Sequence, residues 1–195
     1  MAAAALRLIL ASASPRRLDL LARIGVTPTA VVPADIDEAP RRAELPPIYA
    51  ARMAAEKAQA VHAREPGSLI LGADTVVAAG RRILPKAETE EEARATLTLL
   101  SGRRHRVYSA VTLIGRAGVA RHRLSLTMVA FKRFSDAELD AYIASGEWRG
   151  KAGGYAIQGR AEALIRQISG SHSGVVGLPL FETRALILAA GYPLA

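Results

Sequence analysis

The chain of 195 residues contains no cysteine, which excludes disulfides, thiolate metal sites and a cysteine nucleophile. Aromatic residues make up only 5% of it, too few for the stacking platforms that hold single-stranded nucleic acid. Its four histidines lie far apart and none shows ligand spacing, so each is expected to be structural or exposed. No apolar run approaches the roughly 18 residues of a membrane span. The N-terminal "MAAAALRLILASA" imitates a signal peptide, yet it has no charged n-region and Arg7 interrupts it. Within it "LRLILAS" reads as a buried first strand, and the protein as soluble and cytoplasmic with no membrane partner. There is no G-x-x-x-x-G-K-[ST] loop and no G-x-G-x-x-G after a strand. "GSHSG" centres on His172, so it is not a serine nucleophile elbow.

Half of the residues are hydrophobic, enough for a full core in one domain over residues 1–195. A net charge of +8 points to anionic partners: nucleotides, nucleic acid or a membrane surface. The arginines that carry it are scattered, and a biased genome composition accounts for them equally well. "LRLILAS" reads as a strand and "SPRRLDLLARIG" as a short helix with Leu18, Leu21 and Ile24 at helical spacing. A short strand, an acidic loop and a helix over "PPIYAARMAAEKAQAVHARE" follow. "SLILGADTVVAAGRRILPK" reads as an apolar strand turning at Gly80 into a shorter one, and "AETEEEARATLTLLSGR" as a helix. A long hairpin turns at Gly115–Gly118, and "SDAELDAYIASGEW" is a helix. A Gly-rich loop, a strand at "ALIRQIS", a loop at "GSHSGVVGLP" and a closing helix complete the chain. Interleaved strands and helices with a hairpin predict an α/β fold with a mixed sheet.

Three positions break local rules. Thr89 and Ser135 each precede acidic first turns, as the helix dipole favours, whereas Ser14 and Pro15 precede Arg16 and Arg17. A helix start with two arginines, Ser12 and Ser14 suits a phosphate chain; the alternative is that both arginines extend into solvent. Lys57 falls within an apolar stripe of Ala50, Met53, Ala54, Ala58 and Val61, where it either snorkels to the rim or needs a buried anionic partner. Arg52 and Glu56 form an i,i+4 pair elsewhere on that helix. Asp74 lies in "LILGADTVV", apolar on both faces, where a carboxylate must meet a metal, a cation or several donors. A structural salt bridge and a metal–phosphate site both satisfy it. With Asp35, Asp37 and Glu38 in the acidic loop, any metal would be a hard, oxygen-seeking ion. In "GKAGGYAIQG" the glycines allow close approach, Lys151 can meet phosphate and Gln158 can read a base edge.

In order, "LILASASPRRLDLLARIG", "AEKA", "GADTVV", "LLSGR", "KAGGYAIQG" and "VVGLPL" resemble the Maf family of nucleoside triphosphate pyrophosphatases, from about Leu8 to the last helix. The resemblance implies an elongated central mixed sheet flanked by helices, with two lobes around a cleft, as in inosine triphosphatases. It implies hydrolysis of a nucleoside triphosphate to the monophosphate and diphosphate with a divalent cation (Mg²⁺, Mn²⁺ or Co²⁺). By that resemblance Asp74 is the proton acceptor, Lys57 and Lys86 act with it, and Glu38 stands with Asp74 at the metal. Ser12 and Arg17 line the phosphate site, while Arg16, Thr75 and Gln158 set substrate choice. "SPRR", "ADT" and "IQG" together resemble the branch acting on dTTP and UTP. Stable nucleic-acid binding is not expected, and a homodimer is a family-level expectation. The competing class is a non-enzymatic nucleotide- or nucleic-acid-binding regulator of septum formation. Two positions depart from the family pattern: at Pro85–Ala87 the proline fixes φ and removes an amide donor, which predicts altered geometry in the loop that carries Lys86, and at Gly150 a carboxylate is lost.

Overall fold

The computed structural model describes residues 6–194; the Met1–Ala5 part of the N-terminal apolar run lies outside them. The apolar strand β1 (Leu8–Ala11) is wholly buried, because it is parallel to β2 (Ala30–Val31) on one edge and to β3 (Leu69–Ala79) on the other. From β3 outward every pairing is antiparallel: to β5 (Arg104–Ile114), then β6 (Ala120–Phe131), then β7 (Ile165–Ser169). The short β4 (Arg82–Leu84) folds back onto β3 at Gly80, whose φ of 62° is the left-handed value that a tight turn requires. The seven-stranded sheet is therefore mixed and open, in the order β2-β1-β3-β5-β6-β7 with β4 beside β3. β3 and β5 have 11 residues each and run about 37 Å, which makes the sheet long in that direction.

Helix α2 (Pro46–His62) covers one face of β3 and β5. Its small residues let it sit close: a Cβ on Gly72 would lie 2.4 Å from the Ala54 carbonyl oxygen. The other face carries the larger core, where Leu71, Val77, Val107, Val111 and Val129 of the sheet meet α3 (Glu90–Leu100), α4 (Asp136–Ala144) and α6 (Leu180–Ala189). Both predicted acidic helix starts form full capping boxes, Thr89 with Glu92 and Ser135 with Glu138. Among the described residues no helix is long and apolar enough to cross a membrane.

Three local expectations change. In α1 (Pro15–Ala22) the buried residues are Leu20 and Leu21, while Leu18 is exposed; a two-turn helix has one inward face, and its docking onto β1 selects a different one. "GSHSGVVGLP" is not all loop, since His172–Val176 form a short helix, α5, whose N-cap Ser171 Oγ accepts from Gly174 N–H. "ALIRQIS" is strand only from Ile165, because Arg160–Leu164 form a 3₁₀ turn.

Candidate active site

Along its outer edge β3 pairs with β1 over Leu69–Gly72 and with β4 over Val77–Ala79. Between them, among the described residues, Ala73–Val76 pair only with β5, so the sheet splits there. A cleft of about 300 Å³ opens at the split and adjoins a recess of about 130 Å³; both are lined by Ser14, Arg17, Lys57 and Lys86. Strand alternation puts Asp74 on the α2 face with Gly72, and Thr75 on the opposite face. The open edge lets both reach the cleft.

The charged centre lies toward α2. Lys57 Nζ donates to Asp74 Oδ1 at 2.8 Å and pairs with Glu38 Oε1 at 2.9 Å. Lys57 and Asp74 are each only 7% exposed, so the lysine does not snorkel. Lys86 Nζ is 3.8 Å from the other Glu38 oxygen. Burial raises the Glu38 carboxyl pKa, but the Lys57 hydrogen bond and the charges of Lys57, Lys86 and Arg17 outweigh it and hold the group below its ordinary value. Glu38 reaches this place because α2 clamps its loop. Tyr49 Oη donates to the Glu38 carbonyl at 2.7 Å, and Arg52 makes two 2.7 Å bonds to Glu44 and one of 3.1 Å to the Ala39 carbonyl. The i,i+4 pair of Arg52 with Glu56 is present as well.

The two arginines of "SPRR" diverge. Arg17 Nε donates to the Gly177 carbonyl and Nη1 to Ser12 Oγ, each at 2.9 Å. Three of its five N–H groups remain for an anion. Burial pulls its pKa down, opposed by the charges of Asp74 and Glu38, and an arginine remains protonated regardless. Ser14 occupies the N-cap position without a side-chain cap; its own N–H donates to Ser12 Oγ at 3.1 Å. Ser12 thus accepts twice, and its hydroxyl proton is what it can offer a ligand. Arg16 instead lines the far side of the cleft, where its Nε is buried without a partner among the described residues. Burial lowers the Arg16 pKa; burial and then the Arg16 charge lower that of Lys151. Two such cations side by side suit an anionic or acceptor-rich ligand.

Gln158 and Thr75 line the same end, with Lys151, Tyr155 and Val176. The departures from the family pattern prove compatible with this wall. The Pro85 carbonyl accepts from Gly153 N–H at 3.2 Å, and Gly150, with φ of 62°, donates to the Ala87 carbonyl. Lys86 and Ala152 are bridged backbone to backbone, so the lysine and glycine loops are tied together despite the missing proline donor.

All ten residues singled out in the sequence, Ser12, Arg16, Arg17, Glu38, Lys57, Asp74, Thr75, Lys86, Lys151 and Gln158, thus line the cleft or its recess. Tyr49, Tyr155 and Gly177 were not legible there, nor was the clamp that Arg52 adds to its pair with Glu56: they act through a backbone carbonyl, a clamped loop or a wall, and none of these leaves a motif. A hard cation finds two neighbouring carboxylates, Asp74 and Glu38, both within 2.9 Å of Lys57 Nζ. Among the described residues no cluster of three His, Cys, Asp or Glu gathers, so phosphate and water oxygens would complete its shell, as is usual for Mg²⁺.

An open mixed sheet split at its central strand, with cations and carboxylates converging on the split, defines an α/β protein with a cation-rich cleft at a topological switch point. The chain belongs to the Maf family: the family model described as "Maf-like protein" matches residues 7–190. It is 62% identical over 184 residues to the dTTP/UTP pyrophosphatase of Novosphingobium aromaticivorans, covering 94% of this chain and 92% of that one. It is 60% identical to the dTTP/UTP pyrophosphatase of Zymomonas mobilis, covering 96% and 93%. In fold it is similar to a HAM1 protein from Coxiella burnetii, with a TM-score of 0.50 at 16% identity over 94% of this chain and 98% of that one.

Proposed function

We propose that the protein hydrolyses nucleoside triphosphates to monophosphate and diphosphate, with dTTP and UTP as preferred substrates. The relatives named dTTP/UTP pyrophosphatase at about 60% identity over nearly the full length support this reading. The observation that carries it is the buried Asp74–Lys57 pair, joined at its rim by the half-exposed Glu38 and facing a cleft walled by Arg17, Arg16 and Lys86. It joins a proton acceptor to a set of cations without P-loop machinery.

Lys57 holds Asp74 by one oxygen, leaving the other to accept a proton from water attacking the α-phosphorus. Arg17, Lys86 and the hydroxyl of Ser12 neutralise charge as it moves onto the leaving diphosphate. Arg16, Thr75 and Gln158 fix the nucleoside end. A divalent cation held by Asp74 and Glu38 would supply further charge neutralisation on the phosphates. The protein acts on free nucleotides, as a non-membrane enzyme of the cytoplasm, without stable nucleic-acid partners.

The test is diphosphate release from a panel of nucleoside triphosphates, with Mg²⁺, Mn²⁺ or Co²⁺ and with none. Expected is cation-dependent release, fastest with dTTP and UTP. No release from any nucleotide under any of these conditions would overturn the proposal.

A further inference from the structure

Thr75 Oγ1 and Ser109 Oγ are 2.8 Å apart, and either could donate on distance alone. The next bond decides. Ser109 Oγ also lies 2.5 Å from the carbonyl oxygen of Gly174, which can only accept. Ser109 has one proton, and without it on this line two oxygens would face each other at 2.5 Å with nothing between them. Gly174 stands in α5, too short to supply the partner its carbonyl would have in a longer helix. The Ser109 proton is therefore committed to Gly174, and Ser109 can only accept from Thr75. Thr75 gives its own proton to Ser109. What Thr75 turns to the cleft is lone-pair density.

We propose that Ser109 is a positioning residue that fixes the Thr75 hydroxyl as a hydrogen-bond acceptor, so that the nucleoside end of the cleft selects ligands presenting an N–H or O–H donor there. The inference rests on the nucleotide pyrophosphatase reading above. The surroundings fit it. Ser109 is 1% exposed, so water does not reorder the relay. Thr75 lies on the face of β3 away from Asp74 and Lys57, beside Val176 and Tyr155, where the nucleoside and not the phosphates would lie. Two donors meet the requirement: the ring N–H of a uracil or thymine base, and a sugar hydroxyl. Cytosine, which presents a bare ring nitrogen at the position of that N–H, is rejected by lone-pair repulsion in the first case.

The experiment measures kcat/KM for UTP, CTP and 3′-deoxy-UTP with the wild type, Ser109→Ala and Thr75→Val. Ser109→Ala releases the Thr75 hydroxyl to donate. If the base N–H is the donor, the UTP-over-CTP ratio falls about tenfold in Ser109→Ala, through gain on CTP as well as loss on UTP. If the sugar is the donor, the penalty for 3′-deoxy-UTP shrinks by a similar factor and the UTP-over-CTP ratio holds. A merely structural role for Ser109 would lower all three substrates together. Thr75→Val, nearly isosteric, removes the acceptor without touching the Ser109–Gly174 bond, so it tests the idea even if Ser109→Ala does not fold. The proposal is overturned if neither ratio moves in folded Ser109→Ala or Thr75→Val while wild type turns over UTP. Absence of wild-type turnover on all three overturns the enzymatic reading and this inference together.

Discussion

Lys57 Nζ stands 2.8 Å from Asp74 Oδ1 across the interface of α2 with β3, and both side chains are almost wholly buried. The pair couples folding to chemistry, because each charge is tolerated in the core only through its partner. Glu38 makes the coupling unequal: Lys57 has a second carboxylate at 2.9 Å, whereas among the described residues Lys57 is the one cation within ion-pair distance of Asp74.

Lys57→Met should therefore cost more stability than Asp74→Asn. The first leaves Asp74 buried and unpaired, an expected loss of about 3 kcal/mol or more; the second leaves Lys57 still bound to Glu38. Urea unfolding of both variants checks the order. Turnover should fall at least about 100-fold in Asp74→Asn; a near-normal rate would remove Asp74 as proton acceptor.

Arg52 is remote from the cleft yet holds the loop that delivers Glu38, through Glu44 and the Ala39 carbonyl. Its pKa is raised chiefly by its hydrogen bond to Glu44, while that bond holds the Glu44 carboxyl down at about 2. Arg52→Met should free the loop and loosen Glu38 from Lys57. The expected signature is a several-fold rise in the divalent-cation concentration for half-maximal activity with a smaller change in nucleotide KM. Equal changes in both would deny the clamp this role.

The strand and helix order was legible because caps and periodicity are local. Thr89-x-x-Glu92 and Ser135-x-x-Glu138 announce their helices, and Gly80 and Gly118 announce their turns. Asp74 and Lys57 were legible as charges in apolar patterns, since burial without a partner is costly. What could not be read was the partner itself: the sequence left Asp74 between a salt bridge and a metal–phosphate site, and Lys57 between the rim and the core. Helix α5 was hidden because its five residues, His172–Val176, are all weak helix formers or glycine, and it is held by tertiary bonds to Ser109 and Arg17. The inward face of α1 depended in the same way on docking, which no two-turn periodicity can settle.

His105 is 1% exposed, stacks on Phe131 and shares a 2.8 Å hydrogen bond with Tyr155 Oη. Burial pushes its imidazole pKa down to about 4 from 6.5. The unfolded chain then binds a proton that the folded one refuses, so stability falls as pH drops from about 6.5 to about 4, by about 3 kcal/mol in all. Above pH 6.5 the effect vanishes. Carboxylates held low, such as Glu44, act in a lower window, from about 4.5 down to about 2. In His105→Gln the slope of stability between pH 4 and 6.5 should flatten; an unchanged slope would assign it to other groups.

Gly72 is where packing and site meet. An added Cβ would lie 2.4 Å from Ala54 O and 2.8 Å from Ala58 N, and both atoms belong to the backbone of α2, so no side chain can turn aside. Gly115 is the comparison, since its added Cβ finds only Val119 O at 3.6 Å. Gly72→Ala should lose about 2 kcal/mol or more by overpacking, and Gly115→Ala less than about 0.5 kcal/mol. The activity of Gly72→Ala, measured well below its melting temperature, should fall further than its unfolded fraction explains. The helix that must retreat carries Lys57, and Asp74 lies two residues along β3 on the same face, so relieving the clash lengthens the 2.8 Å bond between them. Full specific activity in the folded Gly72→Ala protein would show that α2 can yield locally at Ala54 and Ala58 while Lys57 stays in place.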